Sequence, residues 1–314
     1  MTLEKGSANK DSLKRLIYIM SPSYSGSTLL TFLLASHPDI ATVGELKATA
    51  IGDAQQYLCS CGSHLTECGF WNQVAVEMEQ KGRSFSLSNF GTHFSSPSYL
   101  CDKILRSGVR GRYFEILRDY GFLTFPQCRK ERESILDQNL SLMDVISHLQ
   151  GAELFLDGSK DPVRIRHFVD SGCWDVRVIF LIRDGRGVAN SYMQHNHVSM
   201  EIAAQAWVDK SRELEEQEKR LVEGTCLRVC YEDLCRRPDH VLHDIFEFIG
   251  IDPDQAHREY HSFDYHVLGN AMRLKSSNEI RLDEKWKTKL SAHDLDVFES
   301  IGGKLNRQFG YKAF

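Results

Sequence analysis

The sequence predicts an α/β protein: a parallel sheet flanked by helices, with a helical insertion. Two observations carry that expectation. Through the second half of the chain, short apolar and β-branched runs alternate with stretches at helical spacing, the pattern of parallel strands joined by crossover helices. Near the start, the apolar run Leu16 to Met20 passes through a loop of small residues directly into a helical stretch. That layout aims backbone N–H groups and the positive end of a helix at an anion. The composition agrees: 314 residues, 42% apolar and 26% charged, suit a soluble chain with a sizeable core. A disordered chain, a collagen and a repeat array are excluded.

Residues 1–14 are polar and are expected to form a flexible tail. Leu16 to Met20 reads as a buried strand, and Ser21 to Gly26 as a loop. Ser27 to Ser36 reads as a helix with Leu29, Leu30, Leu33 and Leu34 on one face, stopped by His37-Pro38. From about 50 to 150 no strand is evident. Two amphipathic stretches, Leu100 to Tyr120 and Ile135 to Leu149, make this a mostly helical insertion. Strand Leu154 to Leu156 then leads to helix Pro162 to Asp170, with proline in its first turn. Strand Val176 to Ile182 leads to helices Gly187 to Gln194 and Ile202 to Val222, and strand Leu227 to Cys230 to helix Pro238 to Ile249. No linker or internal repeat intervenes, so residues 1–314 are read as a single domain.

Lys+Arg total 38 against Asp+Glu 43, a net charge of −5. This balance argues against a general nucleic-acid binder, so any bound anion is held by a local cluster. No run approaches the roughly 18 apolar residues of a membrane span, and the polar N-terminus lacks the apolar core of a signal peptide. Nine cysteines, an odd number in a chain this large, predict mostly reduced thiols rather than a disulfide framework. The expected location is cytoplasmic.

The loop SPSYSGST, residues 21–28, has the small residues and the glycine that a phosphate cradle needs. It lacks the Gly-Lys-Ser/Thr ending of nucleoside-triphosphate loops, which speaks against an ATPase or GTPase and the magnesium site that accompanies one. Taken alone, the loop is equally compatible with a tight turn and a Ser/Thr cap.

Tyr24-Ser25-Gly26-Ser27-Thr28-Leu29, then His37-Pro38 and Gly44-Glu45, resembles the 5′-phosphosulfate loop region of sulfotransferases that use 3′-phosphoadenosine 5′-phosphosulfate (PAPS). VIFLIRDGRGVANSY resembles that family's 3′-phosphate segment, supplying Arg183 at a strand end and Ser191 eight residues on. LDGSKDP (156–162), CYEDL (230–234), HVLGNAMR (266–273) and RLDEKWKTKL (281–290) resemble further segments of the bacterial and carbohydrate-type or tyrosylprotein-type branch. The resemblance spans about residues 16 to 290 and leaves the insertion unexplained. It implies a P-loop NTPase-like sheet and transfer of a sulfuryl group from PAPS to a hydroxyl or amine acceptor. No metal is required, because amides and cations neutralise the leaving phosphate.

The resemblance also assigns roles. Ser23, Tyr24, Ser25, Gly26, Ser27 and Thr28 would line the 5′-phosphosulfate. Arg183 and Ser191 would grip the 3′-phosphate, with Arg186 nearby and Arg273, Gly269 and Asn270 completing the grip. Tyr231 would lie near the adenine, or else in the core. Glu45 is the candidate base for the acceptor proton, with Asp161, His195 and His197 as alternatives. Lys160 is the candidate partner of the leaving phosphate. The chain departs from the family pattern at Tyr24, where a loop Arg or Lys is usual. The missing charge then falls to Lys160 with the loop amides, or to Arg164 or Arg273. Rival readings are a nucleotide-dependent phosphotransferase and a catalytically dead relative that binds only the product nucleotide.

The acceptor is read as a small molecule, glycan or peptide bearing a hydroxyl, bound near the insertion. Phe85, Phe90, Phe94, Tyr99, Tyr113 and Phe114 there point equally to an apolar acceptor and to core. Cys59, Cys61, His64 and Cys68 are enough for a tetrahedral zinc site. Their spacing is compressed and His64 fits poorly, so a disulfide or packed reduced thiols are the preferred readings.

Overall fold

The computed structural model describes residues 13–49, 51–106, 112–257, 265–274 and 279–313. Among them, β1 (Lys14–Met20), β2 (Ile40–Thr42), β3 (Leu154–Asp157), β4 (Trp174–Ile182) and β5 (Cys226–Cys230) form one sheet in the order β2-β3-β1-β4-β5. Every pairing is parallel. β1 is central and buried on both faces, which explains its unbroken apolar run. Its period-two alternation sends Leu16, Tyr18 and Met20 into one core and Ile17 and Ile19 into the other.

The helices in chain order are α1 (Ser27–Ala35), α2 (Gly69–Gln80), α3 (Tyr99–Arg106), α4 (Arg112–Thr124), α5 (Pro126–Gln150), α6 (Pro162–Ser171), α7 (Gly185–Asn196), α8 (Met200–Glu218), α9 (Tyr231–Arg236), α10 (Pro238–Ile249), α11 (Trp286–Lys289) and α12 (Ala292–Gln308). The leucines of α1 join Ile245 and Phe246 of α10 on one face of the sheet. Buried side chains of α2 to α6 gather on the other.

This is the sheet that the sequence predicts, with differences at its edges. β2 was not expected: three residues, Ile-Ala-Thr, are too few to show a period. α12 was also missed, although Ser291 and Asp294 form a reciprocal capping box at its start. The stretch Leu100 to Tyr120 belongs to two helices, α3 and α4, and residues 107–111 lie outside the described part. α5 begins nine residues before the expected Ile135, with Pro126 in its first turn. Of the expected tail, residues 1–12 lie outside the described part, and Lys14 already belongs to β1.

The insertion is tied down in two ways. A disulfide, Cys101–Cys128, joins α3 to α5, while the other seven cysteines are free. Arg164, on α6, is 2% exposed. Its guanidinium donates to Asp157 Oδ2 at the end of β3 (2.7 Å), Thr92 O (2.6 Å) and Asn139 Oδ1 on α5 (2.5 Å). A buried cation so fully bonded holds the insertion to the sheet. Buried and paired with the Asp157 carboxylate, Arg164 spends its charge on the insertion, which makes it a poor substitute for the missing loop cation.

Candidate active site

The chain leaves β1 for β2 on one side and later crosses to β4 on the other, so a crevice opens at the carboxyl end of β1. The loop between β1 and α1 lines it. Tyr24 and Gly26 both have positive φ, 65° and 90°. A Cβ on Gly26 would lie 2.4 Å from the Tyr231 ring, so only glycine fits. No side chain caps α1 and its first turn carries no acid, leaving its N–H groups open to an anion. The hydroxyl of Ser25 is fully buried at the turn and, among the described residues, has no hydrogen-bond partner. A buried donor left over in this way fits a loop shaped for an absent anion. Ser27 is buried, Tyr24 and Thr28 are half-buried, and Ser23 stands exposed at the rim. The Tyr24 ring packs against His195 (4.9 Å) and Tyr192 (6.1 Å) of α7, filling the place of a loop cation with aromatic surface.

Arg183 follows β4 and is 7% exposed. It donates to Tyr24 O at 2.7 Å and to Asp283 O at 2.8 Å, with the Asp283 carboxylate 3.5 Å away. Its guanidinium lies 4.5 Å from the centre of the Tyr231 ring. Tyr231 starts α9 and is itself fixed, its hydroxyl accepting the Asp283 N–H at 3.2 Å. Thus loop, Arg183 and Tyr231 meet in one place. Ser191 lies one helical turn after Gly187, to whose carbonyl it donates at 3.0 Å; an added Cβ on Gly187 would approach Arg183 Nε to 3.2 Å. Asp283 was not picked out from the sequence, because a single acid in a charged segment carries no pattern.

Arg186 stands apart from this grip. It forks onto Asp184, the N-cap of α7, through Nε (2.9 Å) and Nη2 (2.7 Å), and stacks on Trp286 at 4.2 Å. Its charge is spent on structure. Arg273 is likewise committed elsewhere. It donates to Leu58 O and Gly269 O and lies over the Tyr57 ring, grouping with the loop near Glu45 rather than with Arg183.

Glu45 and Lys160 form an ion pair. Backbone bonds lace their segments together: Gly158 N–H to Gly44 O (2.8 Å), Lys47 N–H to Ser159 Oγ (2.9 Å) and Leu46 N–H to Asp157 Oδ1 (3.3 Å). Lys160 has φ 64°, a left-handed conformation that costs a non-glycine residue about 1 kcal/mol. Such strain persists where surrounding contacts impose it, and often at functional sites. Gly44 also needs its positive φ, since a Cβ there would lie 2.4 Å from Leu268 O.

A second ion pair lies beside the first: Lys47 Nζ to Asp161 Oδ2 at 2.6 Å. Burial raises the Asp161 pKa, but the Lys47 charge and hydrogen bond outweigh that and hold it well below the usual carboxylate range. Asp161 also caps α6. It is therefore a poor proton acceptor and drops out as an alternative base. His195 lies against Tyr24, and His197 caps α7; neither contacts Glu45 or Lys160 among the described residues. Lys47, two residues after Glu45, was overlooked in the sequence, and its spacing is the signal that could have found it.

Lys47 and Asp161 border a recess of about 140 Å³, also lined by His93, Phe94, Leu105 and Arg106. Burial and the Lys47 charge push His93 down to about 4, so it is neutral at physiological pH. Of the six insertion aromatics, only Phe94 borders this recess. Phe90 is buried in the core, and Tyr99 and Tyr113 are exposed. A larger cavity, about 390 Å³, lies at the opposite, amino end of β1 among Lys14, Arg15 and Trp174, away from these groups.

A parallel sheet with a small-residue loop leading from its central strand β1 into a helix, and an arginine after the neighbouring strand β4, is a P-loop NTPase-like fold. The profile of the Sulfotransferase family matches residues 17–255, and the chain belongs to that family. Among solved structures, the chain is similar to the sulfotransferase domain from the Synechococcus PCC 7002 olefin synthase. That match has 20% identity, covers 98% of this chain and 99% of that one, and has a TM-score of 0.55. It is also similar to the sulfotransferase domain from the curacin biosynthetic pathway, with 16% identity, 96% and 99% coverage and a TM-score of 0.56. At these identities the likeness shows the fold. No curated protein matches the sequence significantly. Among the described residues no helix is long and apolar enough to cross a membrane.

Proposed function

We propose that this chain is a single sulfotransferase domain that moves a sulfuryl group from PAPS to a hydroxyl-bearing acceptor. One observation carries the reading: Arg183 and the loop at Tyr24, 159 residues apart and each matched to a nucleotide-binding segment on sequence alone, are in hydrogen-bond contact. The open amides after Gly26 and the Ser25 hydroxyl suit the 5′-phosphosulfate. Arg183 and Ser191 suit the 3′-phosphate, and Tyr231 offers a flat ring to the base.

Transfer breaks the bond between sulfur and the phosphate oxygen and forms one to the acceptor oxygen. Glu45 takes the acceptor proton, and Lys160 meets the charge that develops on the leaving phosphate. In their ion pair each holds the other in position. As PAPS enters, Lys160 turns to the phosphate and releases Glu45 to face the acceptor. The acceptor approaches from the recess beside Lys47, His93 and Phe94. Lys160 supplies the charge missing at Tyr24, which favours an active enzyme over a nucleotide-binding relative without turnover. The loop without lysine disfavours an ATP-dependent phosphotransferase.

The test is thermal. The product nucleotide, 3′,5′-adenosine diphosphate, is expected to raise the melting temperature without magnesium, and ATP is expected not to compete. Labelled PAPS is then offered with a panel of hydroxyl acceptors. No stabilisation by the product nucleotide sinks the donor assignment. Stabilisation without transfer to any acceptor favours the non-catalytic reading.

A further inference from the structure

Cys59, Cys61 and Cys68 come together, but the fourth member of the group is not His64. His64 is exposed, and its backbone pairs with Leu58. The fourth is His266, from a segment 198 residues beyond Cys68. Its Nδ1 lies 3.2 Å from Cys68 Sγ and 3.7 Å from Cys59 Sγ, and the Cys61 and Cys68 sulfurs are 3.7 Å apart. All four ligand atoms lie within 4.8 Å of one another.

These distances select among the readings open in the sequence. A disulfide needs about 2.05 Å between sulfurs, and all three cysteines are free. Zinc bonds of about 2.3 Å to sulfur and 2.0 Å to nitrogen, at tetrahedral angles, place sulfurs about 3.8 Å apart and sulfur about 3.5 Å from nitrogen. The observed edges scatter around those values. Packed thiols gain little by converging on one ring nitrogen, whereas a soft-tolerant divalent cation gives all four atoms a common partner.

The backbone holds the donors ready. Gly62, at φ 88°, closes a tight turn in which the Gly62 N–H donates to Cys59 O (3.0 Å) and the Cys59 N–H to Ser63 O (2.9 Å). Cys68 is fixed at the start of α2. The His266 ring lies flat on Phe70, centroids 4.4 Å apart, which sets its plane. Ser60 Oγ donates to Tyr265 O (2.6 Å) and accepts the Val267 N–H (2.7 Å), clamping His266 against the cysteine turn.

We propose that Cys59, Cys61, Cys68 and His266 bind one structural zinc ion. Binding releases the thiol protons to solvent, the metal stays divalent, and the protein fills all four positions, leaving none for a substrate. The ion fastens the 265–274 segment to the 57–68 loop. That segment continues through Leu268, bridged to Gly44, to Gly269, which bonds Tyr57 and packs against Glu45. Zinc would thus hold one wall of the site around Glu45. The inference does not rest on the donor or acceptor assignment.

The full chain, made in zinc-supplemented medium under reducing conditions, is to be measured by elemental analysis after gel filtration. About one zinc per chain is expected, and a cobalt-substituted sample should show the sulfur charge-transfer band and intense visible bands of tetrahedral thiolate coordination. Cys61→Ser, at the exposed ligand, and His266→Ala should each drop bound zinc to below about a tenth per chain, while His64→Ala keeps it. A strong chelator should lower the melting temperature of the parent and leave that of Cys61→Ser unchanged. Should the variants fail to fold, the parent's metal content and cobalt spectrum still decide. Parent protein with neither zinc nor cobalt bands, iron in place of zinc, a disulfide among the three cysteines, or loss of zinc in His64→Ala would each overturn the proposal.

Discussion

Arg183 joins three parts of the site, since it touches the loop carbonyl at Tyr24, the Tyr231 ring and Asp283. Arg183→Ala should weaken binding of 3′,5′-adenosine diphosphate by roughly 1.5–3 kcal/mol, the worth of a hydrogen bond to a charged group. Calorimetry on the folded variant decides, and unchanged affinity would remove Arg183 from the site. In their proposed roles as base and leaving-group partner, Glu45 and Lys160 should behave differently, with the reaction depending on them more than the binding. Glu45→Gln should keep nucleotide affinity within a few-fold and lose roughly 10²–10⁴ in transfer rate. Lys160→Ala should lose roughly 10²–10³ at similar affinity. Full activity in Glu45→Gln would send the search for the base to other groups around the recess. Gly26→Ala tests the loop backbone: its φ and the Tyr231 ring leave no room for a methyl group, so product-nucleotide stabilisation should vanish.

At the scale of elements, the insertion is held to the sheet by Arg164 and within itself by Cys101–Cys128, which closes a loop over a separation of 27 residues. A cross-link of that span is worth about 3.5 kcal/mol through the unfolded chain. Reduction, or Cys101→Ser with Cys128→Ser, should therefore lower the urea midpoint. Nucleotide affinity should change little, because the loop, Arg183 and Tyr231 lie outside the bridged helices. An unchanged midpoint would show that the bridge is absent or idle in solution.

For the whole molecule, the buried histidine at the junction of α6 and the insertion sets an acid limit. His167 lies wholly inside, its Nε2 3.0 Å from Leu105 O and its ring stacked on Phe94. Burial pushes its pKa down to about 3. Unfolded, it titrates near 6.5. Between these values the unfolded chain binds the extra proton, so stability is full above about pH 6.5 and falls as the pH drops toward 3. The slope reaches up to about 1.4 kcal/mol per pH unit. Urea unfolding at pH 7, 6 and 5 should show it, and His167→Gln should flatten it. Equal pH slopes in parent and variant would mean that other groups carry the acid sensitivity.

Local patterns in the chain were enough to determine four of the sheet's five strands and to single out the loop after β1 and Arg183, which the fold brings into contact. Buried parallel strands need unbroken apolar runs, and an anion loop needs small residues and a glycine before a helix. Both signatures are contiguous, so Leu16 to Met20, Ser21 to Thr28 and Arg183 could be read directly. The three residues of β2 carry no period, and α12 is signalled only by the short capping box of Ser291 and Asp294. Lys160 and Glu45 were legible as candidates, but only folding paired them, through backbone bonds between segments more than a hundred residues apart. The same holds against some expectations. Arg164, Arg186 and Arg273 are cations in motif segments, and the tertiary structure commits each to a carboxylate, carbonyl or aromatic partner of its own. His64 sits among the cysteines in the sequence, yet His266 sits among them in space. Spacing along a chain fixes which side chains share a turn or a face; which distant segments share a site is decided by packing, where charge and hydrogen-bond partners are exchanged across the fold.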